Sequence, residues 1–393
     1  MKTVGIICEY NPFHLGHARH IEKTKAALGD DTNIVCVMSG NFVQRGDFAI
    51  FNKHARAKMA VLCGADIVIE LPTPYALLSA GGFAKAGVCI LDALGICDFI
   101  SFGSETGNID QLCFAAETIK SEEAQMQIKE GLSRGLSYAS AQQQAADLLL
   151  GDNSDVFKTP NNLLAIEYIR ALAEQNSSIK PFTVLRTGGA HDSETGCSAT
   201  ALRKLFLMGE VPKHRMPGAA VAVSMEEMML GRGPVSVKNA EQAILSRLRT
   251  IKDFSEVPGS TDGLDRRFLR YATTLPCIES IMDSIKSKRY AMSRIRRMLM
   301  CAVLGITNDD IKNPPPYIRI LAINQRGKLI LSKAKKKVML PILIKPAFVK
   351  KQSKPALRIF NLEADATDFY ALAYDKKQCR TGGNEWKQSP IIV

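Results

Sequence analysis

The sequence predicts a doubly wound α/β domain on a parallel sheet, followed by a mainly helical domain and a small α+β C-terminal part. Two observations carry this. Short apolar runs rich in Val and Ile alternate with helix-patterned stretches through the first half. Strands that are apolar throughout and separated by helices belong to parallel sheets covered on both faces. After about residue 220 the strand alternation stops and helical spacing takes over.

Val4–Cys8 is the first strand, followed by a turn containing Pro12 and Gly16 and a helical pattern through Ala27. Asn33–Met38 repeats the strand signal and stops at Ser39-Gly40. A helix from about Lys53 to Cys63 leads to the strand Asp66–Leu71, which Pro72 ends. Ala80–Leu94 reads as a helix and Asp98–Phe102 as a strand closed by Gly103. Residues 109–150, rich in Gln, Glu and Ala, read as one or two long helices. Asn161–Gln175 is another helix and Phe182–Arg186 a returning strand; a loop to His191-Asp192 then precedes a helix opened near Ser198. Pro212 and Met216-Pro217-Gly218 close the first domain near residue 215. This gives a catalytic domain at 1–215, a basic helical domain at 216–312 and a C-terminal region at 313–393. The last opens with the stiff connector Asn313-Pro314-Pro315-Pro316. There Ile318–Ile323 and Lys328–Leu331 flank Asn324–Gly327, a hairpin signal.

A chain of 393 residues exceeds one ordinary core, and 46% hydrophobic with 23% charged residues is a soluble composition. No apolar run approaches the roughly 20 residues that span a bilayer, and the N-terminal run is too short for a signal peptide. A cytoplasmic location is expected. The ten cysteines are scattered singly, without a CxxC pair, which fits a reducing compartment and gives no structural zinc site. The formal charge is +12 and unevenly spread. It gathers at Lys286, Lys288, Arg289, Arg294, Arg296 and Arg297, then at Lys333, Lys335, Lys336, Lys337, Lys350 and Lys351. Such an excess suits a polyanionic partner, through phosphate neutralisation and counterion release.

The chemistry concentrates in Cys8-Glu9-Tyr10-Asn11-Pro12-Phe13-His14-Leu15-Gly16-His17, at the first strand–helix turn. A helix N-terminus offers unpaired N–H groups and partial positive charge to an anion. Gly16 leaves room for close approach of a nucleotide to backbone. His14 and His17, three apart, share one face of the first turn. No glycine-rich Walker loop with its Lys-Ser/Thr is present.

His14-Leu15-Gly16-His17 resembles the signature of the HIGH nucleotidyltransferase superfamily. Ser198-Ala199-Thr200-Ala201-Leu202-Arg203 resembles that superfamily's second motif. The resemblance implies a Rossmann-like nucleotidyltransferase fold. A wider match, to the tRNA(Met) cytidine acetate ligase family, takes in the opening through His17, Ser39–Asp47, Phe102–Glu105, Pro160–Asn162, Arg186 with its loop to His191-Asp192, and the basic run from Lys288 to Arg297. The loop after Arg186 is shorter than the family's usual one, and the stretch from about Met339 matches least.

That resemblance implies a ligase that uses ATP to turn acetate into acetyl-adenylate and then acetylates N4 of the wobble cytidine of elongator tRNA(Met). The implied ATP site comprises Ile7, Cys8, Glu9, Tyr10, Asn11, Pro12, Phe13, His14, Leu15, Gly16, His17 and His20, with Gly103, Asn161 or Asn162, and Arg186. His14 and His17 are the expected catalytic residues, stabilising charge on the transferring phosphoryl group. Ser198, Thr200 and Arg203 are expected to hold the leaving pyrophosphate, with Mg²⁺ carried in on ATP because no acidic metal cage is visible. Asn41, Gln44 and Arg45 either meet the acyl group or cytidine, or serve a turn. Lys288, Arg289, Arg294, Arg296 and Arg297, on a helix spanning Lys288–Met300, are the expected tRNA contacts, with Ile295, Leu299 and Val303 on the opposite face. Lys335–Lys337 reads as a solvated hairpin end. No membrane association and no obligate protein partner is evident. Two other readings use the same motifs: an adenylyltransferase making a small nucleotide cofactor, and a non-catalytic RNA-binding protein that keeps a nucleotide fold.

Overall fold

The structure is a computed structural model and describes residues 1–186, 198–261, 263–287 and 289–393. Five parallel strands form the body of the main sheet: β1 (Thr3–Cys8), β2 (Asn33–Ser39), β5 (Ile67–Leu71), β6 (Phe99–Ser104) and β7 (Lys180–Leu185). A small antiparallel pair, β3 (Phe42–Val43) and β4 (Asp47–Phe48), rises from the end of β2. Three further strands come from late in the chain: β8 (Ile318–Ile323), β9 (Ile342–Leu343) and β10 (Ile391–Ile392). The order across the sheet is β10-β8-β5-β2-β1-β6-β7, with β9 against β8.

Alternation along the strands divides the core into two layers. Ile7, Val35, Val37, Ile67 and Ile69 face the helix Ala80–Leu94 and the helix Pro160–Glu174. Val4, Ile6, Ile34, Cys36 and Val68 face α1 (Leu15–Leu28) and α2 (Lys53–Leu62), which contribute Ile21, Ala57 and Met59. Every residue of β2 and β5 is buried, as a strand covered on both sides requires.

Three expectations change. Residues 109–150 form three helices, Ile109–Lys120, Glu122–Ser133 and Tyr138–Leu150. Ser121 and Ser137 cap the second and third, and Gly135 takes a left-handed φ of 84° between them. The hairpin expected at 318–331 keeps its first strand as β8, but its second, Lys328–Leu331, lies instead in the helix Gln325–Ala334. The Asn324 side chain accepts from the Gly327 N–H at 2.7 Å, so the Asn-x-x-Gly segment is a helix cap. The arginine-rich helix spans Met292–Leu304, starting four residues later than expected.

The points at 215 and 313 mark changes of course in the chain, and the core crosses both. Ala220, Val221 and Val223 of the helix Gly218–Met229 belong to the layer beneath α2. β8 lies antiparallel against β5, pairing Ile67 with Ile323 and Val68 with Ala322.

Candidate active site

The C-terminal ends of the parallel strands gather the turn after β1, the β3–β4 hairpin, Gly103 and Arg186, as expected for ligand sites in doubly wound sheets. His14 is the N-cap of α1. Its Nδ1 accepts from the Gly16 N–H at 3.0 Å, while His17 Nδ1 accepts from the His14 N–H at 3.2 Å. Each ring therefore keeps its proton on Nε2, and both are donors in the neutral form. The rings stack with centroids 3.8 Å apart, and Tyr10 and Phe13 pack beside His17 at 4.8 and 5.5 Å. Burial, then the positive charges of Arg186 and Arg203, brings His14 down to about 4. Burial and the neighbouring His14 and Arg186 hold His17 well below the usual imidazole range. Gly16 has a structural reason of its own: a Cβ there would lie 2.8 Å from the His14 ring.

Within the turn the residues divide their work. Ile7, Pro12 and Phe13 are buried and shape it, and Tyr10 holds a strained left-handed backbone at φ 44°. Asn11 Oδ1 accepts from the Ile50 N–H at 2.7 Å, and its carbonyl accepts from Arg203 at 2.8 Å. Cys8 is kept a neutral thiol by burial, and Leu15 and Gly16 open toward solvent at the start of α1. His20, brought to about 4 by burial and Arg186, is joined at Nε2 to Ser101 of β6 at 2.9 Å, so it fastens α1 to the sheet.

Arg186 comes to the histidines because β7 pairs with β6; its N–H donates to Ser104 at 2.9 Å. Its side chain crosses Gly103, where a Cβ would stand 2.9 Å from Arg186 Cγ. The second motif arrives on the helix Ala199–Leu207. Ser198 caps it, and Arg203 donates to Thr200 Oγ1 at 3.0 Å as well as to Asn11. Thus Arg203 ties the second motif to the first. Asn162 is committed to the protein, its Oδ1 accepting from Glu105 and Thr106 at 2.8 and 3.2 Å. Asn161 donates to Glu105 at 2.5 Å but is more open.

Sequence reasoning missed the scaffold below this site. Arg56, fully buried on α2, donates to the carbonyls of Glu9, Phe51, Ser39 and Gly40, joining the ends of β1 and β2. Asn41 is also part of the scaffold. It is 1% exposed, with Oδ1 accepting from the Lys53 N–H and Nδ2 donating to Thr367, which favours its turn role over a substrate role. Lys53 Nζ meets Glu70, Glu363 and Glu385 at 2.5, 2.8 and 2.8 Å, and Arg319 meets Glu385 at 2.6 Å. No motif could have revealed this cluster, because its members lie up to 332 positions apart. On the hairpin, the Gln44 N–H donates to Glu9 at 2.6 Å and its amide to Leu78, while Arg45 is exposed.

The arginine helix is not the open basic face its sequence implies. Arg294 donates to Gly259 and Thr261 and lies over Tyr290. Arg297 is desolvated enough to be lowered from its ordinary value. Arg296 and Arg289 remain on this side, and Lys288 lies outside the described residues, as do His191 and Asp192. The helix abuts the β3–β4 hairpin, since a Cβ at Gly46 would collide with the Arg296 and Arg297 backbone. Lys333 and Lys335–Lys337 are exposed at the other end of the sheet. They follow β8, which runs antiparallel to β5, and Lys337 packs on Gly95 at the end of Ala80–Leu94.

Among the described residues no group of three or more His, Cys, Asp or Glu is gathered as for a metal ion. None of their helices is long and apolar enough to cross a membrane.

A parallel sheet with a histidine-capped first helix and a serine-capped second motif defines the HIGH nucleotidyltransferase class, whose family model, HIGH Nucleotidyl Transferase, matches residues 1–385. The chain is 38% identical to the tRNA(Met) cytidine acetate ligase of Acetivibrio thermocellus and 36% identical to that of Thermosipho africanus, each over 100% of both chains. Its fold superposes on Thermotoga maritima TmcAL crystallised with alpha-thio ATP at a TM-score of 0.93, with 32% identity and 100% coverage of both chains. The chain belongs to the tRNA(Met) cytidine acetate ligase family.

Proposed function

We propose that the protein activates acetate with ATP and transfers the acetyl group to N4 of the wobble cytidine of elongator tRNA(Met). The observation that carries the reading is the pair of neutral Nε2–H donors fixed at the N-terminus of α1, with Arg186 and Arg203 close enough to lower both histidines or one of them. Acetate attack on the α-phosphate requires positioning and charge stabilisation rather than a protein nucleophile. His14 and His17 donate to the phosphoryl oxygens as charge develops. Arg186, lying over Gly103, and Asn161, the more open of the two asparagines, hold the nucleotide. Ser198, Thr200 and Arg203 receive the pyrophosphate. The donors here are imidazole, guanidinium and hydroxyl groups, which suit an anion; Mg²⁺ enters bound to ATP. Arg45 and Arg296, where hairpin and arginine helix meet, face the RNA backbone.

The full-length relatedness to tRNA-acetylating enzymes supports this reading over a small-cofactor adenylyltransferase or a silent RNA-binding protein. Elongator tRNA(Met) incubated with protein, ATP and acetate should yield N4-acetylcytidine by nucleoside mass spectrometry, with AMP and pyrophosphate in equal amounts. Unmodified tRNA would sink the reading.

A further inference from the structure

Acetyl transfer has a requirement that the two histidines cannot meet. When the cytidine amino group attacks, it must lose a proton, and His14 and His17 already carry theirs on Nε2 while accepting backbone N–H groups at Nδ1. His20 is bonded to Ser101. A proton acceptor has to come from elsewhere.

The hairpin supplies one. Asp47 opens β4 opposite Val43, directly after Gly46, the residue pressed against the arginine helix. One carboxylate oxygen accepts from the Phe48 N–H at 2.8 Å, and the other has no partner among the described residues. Arg296 of the arginine helix and Arg203 of the second motif both act electrostatically on this carboxylate, yet neither forms an ion pair with it. Three positions along, Ile50 is bonded to Asn11, whose carbonyl holds Arg203. The carboxylate thus stands on the seam between the nucleotide turn and the helix assigned to RNA. Glu9 is the other candidate. One of its oxygens accepts the hairpin's Gln44 N–H and the other, as in Asp47, is open among the described residues. What separates the two is their place relative to the arginine helix: the charged neighbours of Glu9 are Arg56, Arg45 and Arg203, without Arg296.

We propose that Asp47 is the general base of the acetyl-transfer step, an inference that rests on the function proposed above. The N4 lone pair forms the new C–N bond at the acetyl carbonyl carbon. The bond from that carbon to the phosphate oxygen breaks, AMP leaves with the electron pair, and the N4 proton passes to the free Asp47 oxygen. Burial raises this carboxyl from its ordinary value, although the Phe48 N–H, Arg296 and Arg203 pull the other way. A raised value makes a better acceptor.

The test separates the two half-reactions. Wild type and Asp47→Asn are mixed with chemically prepared acetyl-adenylate and elongator tRNA(Met) in single turnover, from about pH 4 to 9, a range that takes in the ordinary carboxyl value and any value raised above it. Asp47→Asn should transfer about 10²- to 10⁴-fold more slowly, the range of general-base catalysis, and lose the acidic limb of the pH profile. Acetate-dependent pyrophosphate exchange and tRNA binding should stay within about threefold, the scatter of such assays, and Asp47→Glu should recover part of the transfer rate. Transfer by Asp47→Asn at the wild-type rate would overturn the assignment, as would parallel loss of exchange or tRNA binding, which marks a structural role. Failure of the wild type to acetylate would instead overturn the proposed function.

Discussion

Replacing Glu70 by Gln should make the protein more stable at alkaline pH. Lys53 and Arg319 bring two positive charges to the three buried carboxylates of Glu70, Glu363 and Glu385, and His54 beside them is kept neutral, at about 3, by burial. One negative charge is in excess, so the cluster retains a proton. The 2.5 Å contact between Lys53 and Glu70, taken alone, would argue for an ionised Glu70. The charge count argues otherwise, and burial followed by Glu363 pushes Glu70 up to about 8. Its Oε2 has no hydrogen-bond partner and lies 3.7 Å from Arg319 Nε, too far for a hydrogen bond to hold it ionised.

The sign follows from linkage. The folded state holds a proton that the unfolded chain loses near 4.5, so stability falls as pH rises from about 4.5 to about 8. Each pH unit removes about 1.4 kcal/mol, and between pH 5.5 and 8 the loss approaches roughly 3 kcal/mol, an upper bound because the neighbouring carboxylates share the titration. The glutamine side chain of Glu70→Gln resembles the protonated acid and does not titrate. Urea unfolding at pH 5.5, 7.0 and 8.5, followed by circular dichroism, should show the variant gaining on wild type by roughly 2–3 kcal/mol across the range. A wild-type-to-variant difference that stays constant with pH would refute the protonated Glu70.

Four further outcomes are expected. His17→Ala should cut acetate-dependent AMP formation about 10³-fold, the scale of a lost oxyanion donor, with little change in melting temperature; full activity would remove His17 from the mechanism. Gly103→Ala should displace Arg186 and raise KM for ATP about tenfold, equivalent to roughly 1.4 kcal/mol of lost binding, and an unchanged KM would show that Arg186 does not hold nucleotide. Arg56→Met leaves four carbonyls, three of them in buried contacts, without this donor and should cost about 3–5 kcal/mol in urea unfolding; a loss below about 1 kcal/mol, the worth of one ordinary hydrogen bond, would contradict the bracing role. Arg296→Glu should weaken tRNA binding in filter assays, most at low salt, and leave ATP binding intact.

The catalytic sheet was legible because its strands are short, apolar and bounded by Gly or Pro, as at Asp66–Leu71 with Pro72. The two motifs were legible because each stands at a helix start, His14 capping α1 and Ser198 capping the helix Ala199–Leu207. Arg56 was not, since its partners are backbone carbonyls that carry no residue identity. Lys53, Glu363 and Glu385 look like ordinary surface charges until the fold buries them together. Arg294 and Arg297 were expected to contact tRNA from the clustering of charge, the helical spacing and the family resemblance, none of which can foresee the 259–261 loop closing over one of them. The second hairpin strand expected at Lys328–Leu331 failed because Asn-x-x-Gly serves a helix cap and a turn equally well.

Because β8 borders β5, the nucleotide-binding half of this enzyme begins life with an open strand edge. During synthesis the hydrogen-bonding groups along Ile67–Ile69 wait for residues some 250 positions downstream to leave the ribosome. Until then the nascent chain presents an apolar, unpaired border to other chains. A premature stop after the parallel sheet is complete but before Ile318 should therefore yield an aggregating fragment, read as insoluble protein by sedimentation, rather than a weakened ATP-binding domain.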